Sequence, residues 1–70
     1  MNLEKHLIIT GASTISWEDA IENAIKETSK SIDYISSFSV INKKGIIDGN
    51  IITEYIVDLD ISFLIDLNRK

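Results

Sequence analysis

The 70-residue sequence has no cysteine, only three glycines, a single histidine and a single tryptophan. Without cysteine there is no disulfide, no thiolate nucleophile and no cysteine-ligated zinc or iron–sulfur centre. The lone histidine, His6, stands near the start of the chain with no cysteine beside it, so no Ser-His-Asp array can be assembled around it. Gly11, Gly45 and Gly49 are too scattered for a phosphate-cradling loop. Nothing in the sequence points to an enzyme.

Basic residues are also scarce. Seven Lys and Arg face eleven Asp and Glu, for a net charge of −4 and a pI near 4.7. Nucleic-acid binding needs clustered cations to neutralise phosphates, so that partner is excluded. The basic pairs Lys43–Lys44 and Arg69–Lys70 read as a solvated turn and a tail. No segment approaches the ~20 apolar residues of a membrane span. The opening residues, MNLEKHLIIT, lack the parts of a secretory signal. The expectation is a single cytoplasmic domain over residues 1–70, with no membrane partner.

What the chain does have is a strong apolar pattern. The β-branched run Lys5–Thr10 predicts a short strand ending at Gly11. Ser16 is a good N-cap, with Asp19 three residues on and acidic residues in the first turn. Trp17, Ala20, Ile21, Ala24, Ile25 and Thr28 recur at helical spacing, which predicts a helix from Trp17 to about Lys30, with a Glu22–Lys26 pair on its outer side. A second strand starts at Ile35. Asp48–Gly49 or Gly49–Asn50 then supplies the turn of a hairpin. In the third strand every odd position from Ile51 to Leu67 is apolar or Thr or Tyr, while the even positions are mixed.

The order is therefore β-α-β-β, an α+β fold with a three-stranded antiparallel sheet wrapped on one helix. The first strand flanks the third, and the helix packs on the odd face of the third. Lengths then decide something. A strand of about seventeen residues spans roughly 55 Å at ~3.3 Å per residue, whereas a helix of about fourteen spans roughly 21 Å at ~1.5 Å. One helix cannot cover that face. A chain this small buries only about 60% of its unfolded surface, so the uncovered apolar strand predicts self-association or a bound ligand.

Three stretches, GASTISWEDAIENAI at 11–25, ITEY at 52–55 and ISF at 61–63, resemble the dodecin family in order and spacing, and the match extends from about Leu7 to Ile65. The resemblance implies a β-α-β-β subunit of a hollow homododecamer that stores or buffers a small molecule rather than catalysing a reaction. Flavin-binding dodecins stack the ring between paired tryptophans and hydrogen-bond it with a glutamine. Those two positions fall at Ser37 and Ile56 here, and Trp17 matches a different family position, an aromatic at the helix start. Both replacements remove what a flavin needs.

The strand ISSFSVIN at 35–42 thus carries a row of small hydroxyls where a stacking ring would stand. Ser37 leaves a gap that can be wet, filled by a partner residue such as Phe38, or occupied by a smaller ligand. A riboflavin or FMN site rebuilt from Phe38 or Tyr34 is the alternative, and a purely structural module is a third reading. Asp58 and Asp60 share one face of the third strand at ~7 Å separation. In a symmetric shell their copies could converge near an axis and suit a hard cation such as Ca²⁺. The candidate site residues are therefore Ser37, Ile56 and Phe38 for a small ligand, and Asp58 and Asp60 for a metal ion.

Overall fold

The computed structural model describes residues 2–66. Strand β1 covers Asn2–Ser13, helix α1 Trp17–Ser29, strand β2 Ile35–Asp48 and strand β3 Ile51–Asp66. The sheet is antiparallel throughout, in the order β1-β3-β2. The β-α-β-β topology and the central place of the third strand are as the sequence predicts.

The first strand is longer at both ends than the expected Lys5–Thr10, and it starts at Asn2. β1 runs past Gly11 to Ser13, because Gly11 and Ala12 go on pairing with Val57 and Ile56. The glycine is there for packing, not for a turn. Lys43–Lys44 lie on β2 opposite Val57 and Ile56, not in a turn. Leu67, Arg69 and Lys70 lie outside the described residues.

The helix starts as its sequence dictates. Ser16 is extended, and its Oγ accepts the Asp19 amide at 3.0 Å, satisfying one of the unpaired first-turn donors. The Asp19 carboxylate accepts from Ser13 Oγ at 2.6 Å and from Asn23 Nδ2 at 3.1 Å, tying the helix start to the end of β1. The ion pair on the helix is Lys30–Glu27 at 2.6 Å rather than Glu22–Lys26. It holds the Glu27 carboxyl below its ordinary range. At the hairpin, Gly49 and Asn50 both take positive φ, at 59° and 75°, as a two-residue primed turn requires.

The core sits where α1 crosses the odd face of β3. Ala20, Ala24, Val57, Leu59 and Ile61 are buried, with Ile9, Trp17, Ile21, Ile25 and Ile35 packed around them. Trp17 pins the helix to the hairpin. Its indole Nε1 donates to the Lys44 carbonyl at 3.1 Å, and its ring stands edge-on to Tyr55 with centroids 4.7 Å apart. Its edge also passes over Gly45, 3.5 Å from where a Cβ would stand.

Beyond that anchor the hairpin is unsupported. Ile46, Ile47, Ile51 and Ile52 are all exposed, as the comparison of strand and helix lengths predicts.

Candidate functional site

The sheet has two faces: one on which α1 packs, and one that no element among the described residues covers. The register assigns residues to them. Opposite residues of an antiparallel pair share a face, so the even positions of β3 bring partners from both neighbours to the open face. Across it run the rows His6–Ser62–Ser37, Ile8–Asp60–Ser39, Thr10–Asp58–Asn42 and Ala12–Ile56–Lys44. The centre of the open face is thus hydroxyls and carboxylates, with apolar residues towards the hairpin.

The candidate residues separate on this grid. Ser37 lies opposite Ser62, and Ile56 lies opposite Lys44. Those rows lie six positions apart along β3, roughly 20 Å at ~3.3 Å per residue. One chain therefore does not bring Ser37 and Ile56 together. Phe38 is opposite Ile61 on the helix side, yet it remains 44% exposed because α1 does not reach it. Tyr34 precedes β2 with φ at 62°, and its carbonyl accepts the Leu64 amide at 3.1 Å. The serines of the strand have individual roles. Ser36 sits at a bulge and donates to the Ser62 carbonyl at 3.2 Å, whereas Ser37 and Ser39 stand exposed on the open face.

Asp58 and Asp60 do share the open face, and each already has a partner. Thr10 Oγ donates to Asp58 at 2.7 Å, and His6 Nδ1 lies 3.0 Å from Asp60 Oδ1. Among the described residues of one chain, no group of three or more histidines and carboxylates converges as a metal site would require.

His6 is more connected than the sequence suggests. Its Nδ1 also lies 3.2 Å from Ser62 Oγ, and its Nε2 lies 3.3 Å from the Glu4 carboxylate. The hydrogen bond to Asp60, with the charges of Asp60 and Glu4, raises the imidazole above its ordinary pKa. The same nitrogen, Nδ1, is shared between Asp60 and Ser62. The Ser62–His6–Glu4 sequence is therefore not a nucleophilic triad. The base of such a triad offers the serine a free nitrogen, whereas the Nδ1 that faces Ser62 is shared with the Asp60 carboxylate, and Ser62 is only 7% exposed. Sequence reading missed this cluster, since pairing residue 6 with residues 60 and 62 requires the strand register.

No helix among the described residues is long and apolar enough to cross a membrane. No curated protein sequence matches the chain. Solved structures do. A variant of Thermus thermophilus dodecin is 26% identical, with a TM-score of 0.89 over 94% of this chain and 98% of that one. Dodecin from Streptomyces davaonensis is 23% identical, with a TM-score of 0.87 over 93% and 96%. The calcium dodecin of Mycobacterium tuberculosis, a calcium-chelating antigen with its own calcium-binding site, is 28% identical, with a TM-score of 0.79 over 97% of each chain. The sequence profile of the Dodecin family matches residues 4–66, and the chain belongs to that family.

Proposed function

We propose that the chain is a non-catalytic subunit of a hollow homo-oligomeric shell that binds or stores a small ligand or ions without tight flavin stacking. The observation that carries this reading is the fate of the only tryptophan. Trp17 is spent on the helix–hairpin junction, against Tyr55 and the Lys44 carbonyl. The open face offers Ser37 and Ile56 instead. Aromatic stacking contributes about 0.5–1.5 kcal/mol per pair beyond burial. A buried ring edge left without its hydrogen-bond partner costs roughly 1–3 kcal/mol. Because Ser37 and Ile56 stand rows apart in one chain, any pocket that used both would form between copies.

Asp58 and Asp60 support the ionic version of this reading, with Ca²⁺ as the hard cation to try first. In each chain such an ion would compete with Thr10 and His6 for those carboxylates. The second reading, a riboflavin or FMN site with altered contacts, is favoured by one observation: Phe38 and Tyr34 both present exposed rings near β2.

Native mass spectrometry of freshly purified protein, with no ligand added, separates these readings. A bare multiple of the chain mass supports the weak-ligand or ion store. Excess mass matching riboflavin or FMN supports the second reading. A monomer at micromolar concentration overturns both.

A further inference from the structure

Among the described residues three take positive φ: Gly49 at 59°, Asn50 at 75° and Tyr34 at 62°. Glycine and asparagine are the residues that enter this left-handed region at little cost, and these two form the hairpin turn that needs them. A residue as bulky as tyrosine is strained there. Such strain persists only where the surrounding structure holds it, and it collects at functional positions, ligand clamps among them.

The chain around Tyr34 shows what holds the backbone. Lys30, Ser31 and Ile32 close the last turn of α1 by donating to the Glu27 and Thr28 carbonyls. The Tyr34 carbonyl then accepts the Leu64 amide at 3.1 Å, which fixes the entry of β2 against β3. This geometry uses a left-handed residue at position 34 and is indifferent to its ring. Asparagine would serve it with less strain. Nor does burial explain the ring, since Tyr34 is 58% exposed.

The neighbours of Tyr34 are an apolar floor and small hydroxyls. Leu64, to which its carbonyl is bonded, is exposed and takes an even position of β3, on the open face opposite Glu4. In the following rows Ser37 and Ser39 stand exposed opposite Ser62 and Asp60. Leu64 and the Tyr34 ring offer apolar contact, while the serine hydroxyls both donate and accept. That combination suits a planar ring with a polar edge. Phe38 does not belong to it, because Phe38 pairs with Ile61 on the helix side of the sheet.

Resting on the second reading above, a ring-binding site with altered contacts, we infer that Tyr34 is the residue that contacts a planar aromatic ligand at the Leu64 end of the open face. The fold keeps the ring there although it lowers stability.

Tyr34→Asn and Tyr34→Phe test this on the full chain in its native assembly, with riboflavin as the probe. Asparagine takes the left-handed conformation more readily and removes the ring. It should raise the thermal midpoint of the ligand-free protein by a few degrees. It should also weaken riboflavin binding, read by fluorescence quenching, about two- to tenfold, the loss of one aromatic pair. Phenylalanine keeps both the ring and the strain, so both readouts should stay close to wild type. A tyrosine that merely supported the fold would give lower stability on replacement, so a rise in midpoint together with weaker binding is the signature.

Tyr34→Asn binding riboflavin as tightly as wild type overturns the inference and leaves the ring-binding reading standing. A lower midpoint for that variant makes Tyr34 a structural residue and overturns it as well. A smaller particle in native mass spectrometry has the same force, because the ring then packs against another copy of the chain. A wild-type protein that leaves riboflavin fluorescence unquenched overturns the ring-binding reading first, and the inference with it.

Discussion

Gly11 on β1 and Ala20 on α1 are in direct backbone contact: a Cβ on Gly11 would stand 2.7 Å from the Ala20 carbonyl oxygen and 2.8 Å from the Ala24 Cβ. Helix and strand approach so closely because the three contact positions, Gly11, Ala20 and Ala24, carry almost no side chain. The obstacle to a methyl at Gly11 is backbone, which cannot rotate away. Gly11→Ala should therefore destabilise the fold by about 1–3 kcal/mol, the usual cost of overpacking, even though alanine lowers the entropy of the unfolded chain. Urea denaturation of the variant checks this. A variant as stable as wild type would mean that the helix shifts at little cost.

Trp17 makes a prediction of a different kind. Trp17→Phe keeps a ring against Tyr55 but removes the donor to the Lys44 carbonyl. The loss should be about 1 kcal/mol, the net contribution of a typical hydrogen bond. The same substitution should leave flavin fluorescence in a binding assay unchanged, because this indole packs the fold and does not line the open face. A change in flavin response would place Trp17 in the binding surface instead.

His6 predicts a pH dependence. Its folded pKa is raised, chiefly by the hydrogen bond to Asp60. A group whose folded pKa lies above its unfolded value adds stability that is fully present below the unfolded pKa, about 6.5. That contribution is lost as pH rises through the raised folded value. Stability should therefore fall on going from mildly acidic to alkaline solution. His6→Ala should flatten the fall, and Asp60→Asn should move the imidazole titration, followed by NMR, downward. An unshifted His6 titration in the wild-type protein would refute the link.

The absence of flavin stacking can be tested by putting the missing groups back. Ser37→Trp/Ile56→Gln supplies a stacking ring and a hydrogen-bonding amide at exposed or half-buried positions. From ~0.5–1.5 kcal/mol for the stack and ~1–3 kcal/mol for the hydrogen bond, riboflavin affinity should rise on the order of ten- to a thousandfold. Quenching of riboflavin fluorescence reads it. A double variant that binds no better than wild type would show that these two positions do not form the pocket.

For the ionic reading, Ca²⁺ should raise the thermal midpoint, since saturation at a hundredfold excess over Kd adds about 2.7 kcal/mol. Asp58→Asn should remove that rise. If Ca²⁺ leaves the midpoint of the wild-type protein where it was, Asp58 and Asp60 are polar surface and nothing more.

Local physics wrote much of this protein into its sequence. The helix of Trp17–Ser29 is legible because its cap, its first-turn acids and its 3.6-residue apolar spacing all agree. β3 is legible from the unbroken row of apolar, Thr and Tyr residues at its odd positions, and the hairpin from Gly49–Asn50, since few residue pairs accept two positive φ values in a row. The mismatch of strand and helix lengths foretold the bare arm by arithmetic alone. Tertiary structure decided the rest. It carried β1 past Gly11, because a glycine that a helix must approach looks in sequence like one that ends a strand. It set Lys43 and Lys44 on a strand, where pairing with Val57 and Ile56 outweighs their polarity. Above all it joined His6 to Asp60 and Ser62, and Thr10 to Asp58, across 54, 56 and 48 residues of chain. A strand's pattern says which face a residue takes; only the register, fixed by the packing of the whole sheet, says which residue stands beside it.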